Sequence, residues 1–214
     1  MVRKTSDIDC IESKKAFEKI LEDLSKQPLG QFQSGDKNPK KEILTPGKLS
    51  SVGFLDEDQE LEEIIEKDRK TIEIMGVNRT YILALLLHMI LWSKKGYSND
   101  ENKHLYIAPN GRFYKLIAYK YNDIPQDCPW RTVKGECNKE NVNTEYILYD
   151  IKEGKSLFNN LPEPIMVVSE LLPHLIESHE FFEGGGYRIS PEVIVEILGG
   201  IAPDKIKEAK NLKI

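Results

Sequence analysis

Apolar residues recur at three- and four-residue steps in the first half of the chain, alternate through its middle, and return to the helical period near the end. From about Ile8 to Lys26 the pattern places Phe17, Ile20, Leu21 and Leu24 on one face, which predicts an amphipathic helix capped by Asp7 or Asp9. A second helix is expected from Asp56 or Asp58 to about Met75, on a stripe of Leu61, Ile64, Ile65, Ile72 and Met75, with Gly76 as its end. Asn78 then caps a third helix, Arg79 to about Lys95, which is apolar almost all round and therefore buried. Between the first two helices, residues 27–55 are rich in Pro, Gly, Ser, Lys and Gln. With so few apolar side chains to offset ordering entropy, the expectation is a mobile linker.

The extended part opens at about residue 104. HLYIA, the turn Pro109-Asn110-Gly111 and RFYKLIAYKY read as a β-hairpin, because glycine supplies the positive φ that such a turn needs. An irregular excursion from Asp123 to Val142 follows, then the strand TEYILYDI and a second turn around Gly154 leading to SLF. The stretch Ile165 to Ile189 predicts a helix that starts at Ser169, carries Leu171, Leu172, Leu175 and Ile176 inward and stops at Gly184–Gly186, with a short strand, YRI, leaving the glycines. Phe181 and Phe182 are expected to plug a core. Ser190-Pro191-Glu192 starts a further helix ending at Gly199, and Pro203 to about Leu212 a last one.

Helices first, strands in the middle and helices last define an α+β fold: a central antiparallel sheet of about four or five strands, built from hairpins and covered by helices. The expected organisation is an N-terminal helix (1–26), a linker (27–55) and one domain (56–214). That domain comprises a helical hairpin (56–95), the sheet (104–159) and C-terminal helices (169–212).

Composition narrows the class. The chain has 214 residues, 40% hydrophobic and 30% charged, enough for one full core and a busy surface. Its net charge of -5 argues against a general nucleic-acid-binding surface. The N-terminus has no apolar region of the signal-peptide kind, and the longest apolar run, Tyr81 to Trp92, falls short of the ~20 residues that span a bilayer. Three scattered cysteines do not form a disulfide framework, so a cytoplasmic protein is expected.

Candidate chemistry is concentrated around Cys128, Cys137, His174 and His179. Those residue types suit zinc, yet the spacing does not match its common motifs. Eight residues separate the cysteines where structural sites usually have two to four, and histidines five apart on a regular helix point about 140° away from each other. The expectation is therefore that His174 and His179 are ordinary, partly buried histidines and that no cofactor is needed, zinc being the alternative. No catalytic constellation is visible. The leading reading is a non-enzymatic binding domain with an unidentified protein partner, contacted through Tyr106, Tyr114, Tyr119 and Trp130 on the tyrosine-rich hairpin and the loop beyond it. A metal-dependent hydrolase using Glu177 or Glu183 as base beside that zinc is the second reading. The third is a nucleic-acid regulator, since EIMGVNRTYILALL has the glycine, apolar residue and polar cap of a helix-turn-helix, though the following helix lacks a basic face.

Overall fold

Among the described residues, four strands form one antiparallel sheet in the order β1-β2-β3-β4: β1 Leu105–Ile107, β2 Phe113–Lys120, β3 Thr144–Asp150 and β4 Met166–Ser169. The structure, a computed structural model, describes residues 7–33, 35, 37–50, 52–95, 104–121, 125–134, 137–140, 142–151 and 163–211. Among these are seven α-helices: α1 Asp7–Ser25, α2 Lys41–Leu44, α3 Leu61–Met75, α4 Arg79–Lys95, α5 Leu172–His179, α6 Pro191–Leu198 and α7 Pro203–Lys210. The fold is α+β.

Alternation along the strands sets the sheet's inner face. Tyr114 and Leu116 on β2, Tyr146 and Leu148 on β3, and Met166 and Val168 on β4 are all buried, and the register pairs Leu116 with Leu148 and Leu148 with Met166. Against this face lies α4, which also packs on α1, α5 and α6. The hairpin turn is as expected: the Gly111 N–H donates to the Ala108 carbonyl at 2.9 Å, and Gly111 has φ 82°. The expected second hairpin, around Gly154, lies outside the described residues; the fourth strand is instead Met166–Ser169, just before α5.

In the helical hairpin, α4 is buried as its composition implies, whereas α3 buries one face, Leu61, Ile65, Asp68, Thr71 and Met75, and leaves its charged face exposed. Gly76 takes a left-handed conformation, φ 67°, and the Asn78 carboxamide accepts the Tyr81 N–H at 2.8 Å. Along α4 only Leu91, Lys94 and Lys95 are exposed, so the helix that a helix-turn-helix would lay in a DNA groove is enclosed by protein. His88 within it is a satisfied core histidine, with Nδ1 3.1 Å from the Tyr106 hydroxyl and Nε2 3.5 Å from Ser13 Oγ. No single helix among the described residues is long and apolar enough to cross a membrane.

A second, smaller core lies beside the first. It gathers Leu44, Phe54, Leu55, Leu61, Ile65, Cys128, Trp130, Val142, Leu171, Leu175 and Phe181. Its presence corrects the expectation of a mobile linker over 27–55. That segment forms α2 and buries Leu44, Phe54 and Leu55 completely; the Leu55 N–H donates to the Leu44 carbonyl at 3.1 Å and the Gly184 N–H to the Phe54 carbonyl at 2.6 Å. Few apolar residues suffice because each meets partners from distant parts of the chain. Phe181 fills this second core while its neighbour Phe182 fills the main one, so the consecutive rings tie the two together.

Glycine at position 30 has a specific role in this packing. Its N–H donates to the Glu177 carbonyl at 2.9 Å, and a Cβ there would sit 2.3 Å from the Ser178 carbonyl oxygen. Backbone cannot yield as a flexible side chain can. Gly30→Ala is expected to lower stability by about 1–3 kcal/mol, the usual range for overpacking, in urea unfolding followed by circular dichroism. An unchanged midpoint would show that the segment does not dock there.

Candidate metal centre

The two cysteines lie at the far end of an extended hairpin. Beyond β2 and β3 the chains stay paired, with the Tyr121 N–H on the Asn143 carbonyl, a Gln126–Val142 bridge, and the Cys128 N–H on the Lys139 carbonyl at 3.0 Å. Cys128 then enters a 3-10 turn, Pro129–Thr132, where proline's missing N–H is no loss at the first position. The Cys128–Lys139 pairing thus brings the two cysteines' neighbourhoods together, and sequence separation says little about distance in space.

The histidines come from α5. This helix starts three residues later than expected, at Leu172, although Ser169 Oγ does accept the Leu172 N–H at 3.1 Å. It also ends differently: Glu180, not a glycine, takes the left-handed conformation, φ 57°. A 3-10 turn, Gly185–Tyr187, occupies the place of the expected short strand. The carboxylate of Glu180 makes that backbone tolerable, because it sits 3.0 Å from Arg79 Nη1, pairs with Arg69 and accepts the Phe32 N–H at 3.0 Å.

Here the geometric expectation for the histidines fails. At the exit of α5 the Glu180 N–H reaches back to the Leu175 carbonyl, five residues away, and the Phe181 N–H bonds the same oxygen at 3.2 Å. An α-helix would reach back four. This is a widened C-terminal closure on a left-handed residue. His174 and His179 converge, with ring centroids 5.3 Å apart.

The four candidate ligand atoms all lie within 4.8 Å of one another. Cys128 Sγ is 3.4 Å from His179 Nε2, and Cys137 Sγ is 3.2 Å from His174 Nε2. In a tetrahedron with Zn–S of about 2.3 Å and Zn–N of about 2.05 Å, the sulfur-to-nitrogen edge is about 3.5 Å. The two sulfur-to-nitrogen edges, 3.4 and 3.2 Å, are therefore close to that length.

Secondary contacts orient the set. Ser178 Oγ is 3.3 Å from His174 Nδ1, which leaves Nε2 to face the centre; the Lys139 N–H donates to Cys137 Sγ at 3.3 Å. Trp130 stacks flat on the His179 ring, centroids 4.2 Å apart at 9°, and its Nε1–H reaches Asn38 Oδ1 at 3.3 Å. Asn38 belongs to the segment first read as a linker, so that segment helps fix a ligand.

Electrostatics places the imidazoles in their ligating form. Burial pushes His174 down to about 4, with Lys139 adding to the effect, and pushes His179 down to about 4, with His174 adding to it. Both are neutral at pH 7. Burial raises the Cys128 thiol, opposed by the amide of Trp130. A divalent cation with two thiolates is neutral overall, and a neutral centre is the only kind that a site enclosing Cys128 and His179 accepts at low cost.

The proposed contact surface fares differently. Tyr106, Tyr114 and Trp130 are buried, so the large rings that suggested a binding face are core residues, as β-strand alternation and the second core require. Tyr119 alone of the four is exposed, edge-on to Tyr121 at 4.7 Å. Sequence reading missed the stacking role of Trp130 and the supports Asn38, Lys139 and Ser178. An aromatic next to Cys128-Pro129 was the one available sign. Comparison with protein-family models, curated proteins and solved structures gave no match to this chain.

Proposed function

We propose that this protein is a zinc-binding protein whose metal serves a structural, non-catalytic role, held by Cys128, Cys137, His174 and His179. The observation that carries the reading is the mutual approach of four ligand atoms within 4.8 Å from two remote parts of the chain. The ligand types favour zinc: two thiolates and two imidazoles in a tetrahedral set suit a soft-to-borderline ion without geometric preference of its own. Four protein ligands close the coordination sphere, whereas a hydrolytic centre keeps one position for water. A catalytic base is equally ill served. The Glu183 carboxyl is buried and takes a hydrogen bond from Ser169 Oγ at 3.3 Å, and Glu177 lies on the solvent-exposed side of α5.

The role that follows is to hold the loop after β2, the end of α5 and the packed segment 27–55 in one arrangement, presenting that face of the molecule as a stable binding module. Protein purified without chelator is expected to contain one zinc per chain by elemental analysis. Replacement by cobalt should give the visible ligand-field bands of a tetrahedral site together with thiolate charge transfer. His179→Ala or Cys128→Ala should abolish both signals. Metal-free protein that takes up neither ion, or cobalt bands of an octahedral site, would sink the reading.

A further inference from the structure

We infer that Cys128 and Cys137 form a thiol oxidation site, at which peroxide-class oxidants convert the metal-holding pair into a disulfide and so release the ion. The inference rests on the zinc reading above. Three observations point to it. The two sulfurs lie within 4.8 Å of each other, close enough for a change of rotamer and a small loop adjustment to join them. Their surroundings are unequal: Cys128 is fully enclosed, while Cys137 is partly exposed on the outer limb of the loop, so an oxidant meets Cys137 first and Cys128 stands behind it as the resolving thiol. The third cysteine, Cys10, packs on the main core from α1, and the pair belongs to the second core, so Cys10 is no competing partner.

The chemistry balances without a further reagent. The Cys137 thiolate gives its electron pair to one peroxide oxygen; an S–O bond forms, the O–O bond breaks, and hydroxide leaves to become water on taking a proton. Cys128 sulfur then attacks the Cys137 sulfenic sulfur, forming the S–S bond and breaking S–O, and the second hydroxide leaves as water with another solvent proton. Two thiolates have lost two electrons and peroxide has gained them. With both sulfur ligands gone, two imidazoles alone are a weak site. His174 and His179 lose their anchor, and with them the clasp that holds the loop and segment 27–55 to α5.

The test uses the full chain, zinc-loaded, in native form and as Cys10→Ser, treated with a slight excess of hydrogen peroxide. A colorimetric zinc indicator reads release while peptide mapping reads the sulfur products. The expected result is one zinc released per chain, a Cys128–Cys137 linked peptide in both proteins, and recovery of zinc binding after a dithiol reductant and added zinc. Zinc retained under oxidation, release with Cys137 over-oxidised and Cys128 still free, or a disulfide to Cys10 would each overturn the inference while leaving the metal reading standing. A chain that never takes up zinc overturns both, and the loading step reports this before any oxidant is added.

Discussion

Removing the metal with a strong chelator is expected to lower the melting temperature by roughly 10 °C. An ion present at a thousand times its dissociation constant contributes about 4 kcal/mol to the folded state, and in a chain of this length each kcal/mol moves the transition by about 2–4 °C. The loss should be uneven. The main core, with α4 against the sheet, contains none of the four ligands, whereas the second core includes Cys128 itself and Trp130 stacked on His179. Hydrogen exchange should therefore rise in residues 125–134, 137–140 and α5 while β2 and β3 keep their protection.

Control variants sharpen this result. His179→Ala and Cys128→Ala should melt no higher than the chelated protein and show no response to chelator, because they have already lost the ion. Cys128→Ala adds the cost of a cavity in a packed core, so His179→Ala is the cleaner comparison. A chelated wild type with an unchanged transition would mean that packing alone holds the second core, and the structural role assigned to zinc would fail.

Legibility of the fold in the sequence followed the distance over which each signal acts. The helices α1, α3, α4 and α6, the hairpin of β1 and β2, and β3 are set by local periodicity, and Gly76, Asn78 and Gly111 mark their ends by local backbone chemistry; all were readable except the start of α3, which lies at Leu61 and not after Asp56 or Asp58. Residues 27–55 were not, because Leu44, Phe54 and Leu55 gain their burial from Trp130, Leu175 and Phe181 far along the chain, which no window of composition contains. The same limit hid the site. Its four residues could be named, but their convergence brings together a paired loop beyond β2 and a helix that ends on Glu180, a residue with no intrinsic preference for positive φ whose carboxylate pairs with two arginines from distant parts of the chain. The tyrosines erred in the opposite direction: an aromatic-rich strand reads equally as a surface or as a core, and pairing alone decided that Tyr106 and Tyr114 face inward.

Raising the pH from about 4 to 8 is expected to destabilise the protein by several kcal/mol through Glu183 alone. Burial pushes this carboxyl up to about 8, with nearby Glu145 adding to the effect and the hydrogen bond from Ser169 opposing it. Between the unfolded value of about 4.5 and the folded value, the native chain keeps a proton that the unfolded chain has released. Stability must then fall as pH rises across that window; the contribution is fully present below the unfolded value and gone above the folded one. A shift of this size corresponds to roughly 5 kcal/mol. Four other groups bend the profile in ways that the test must separate. Asp68 is held up at about 6 by burial despite its pairing with Arg188, which reinforces the loss at lower pH, while His88, His174 and His179, each pushed down to about 4 by burial, favour the folded chain as pH rises towards 6.5. All four persist in Glu183→Gln, which keeps an oxygen to accept the Ser169 hydroxyl but cannot ionise. The variant should match wild type near pH 4, exceed it progressively in denaturant unfolding towards pH 8, and level off beyond. Parallel profiles across the whole range would show that Glu183 ionises without penalty, and so that solvent reaches a carboxyl which the packing of Phe54, Gly184 and Ser169 places out of its reach.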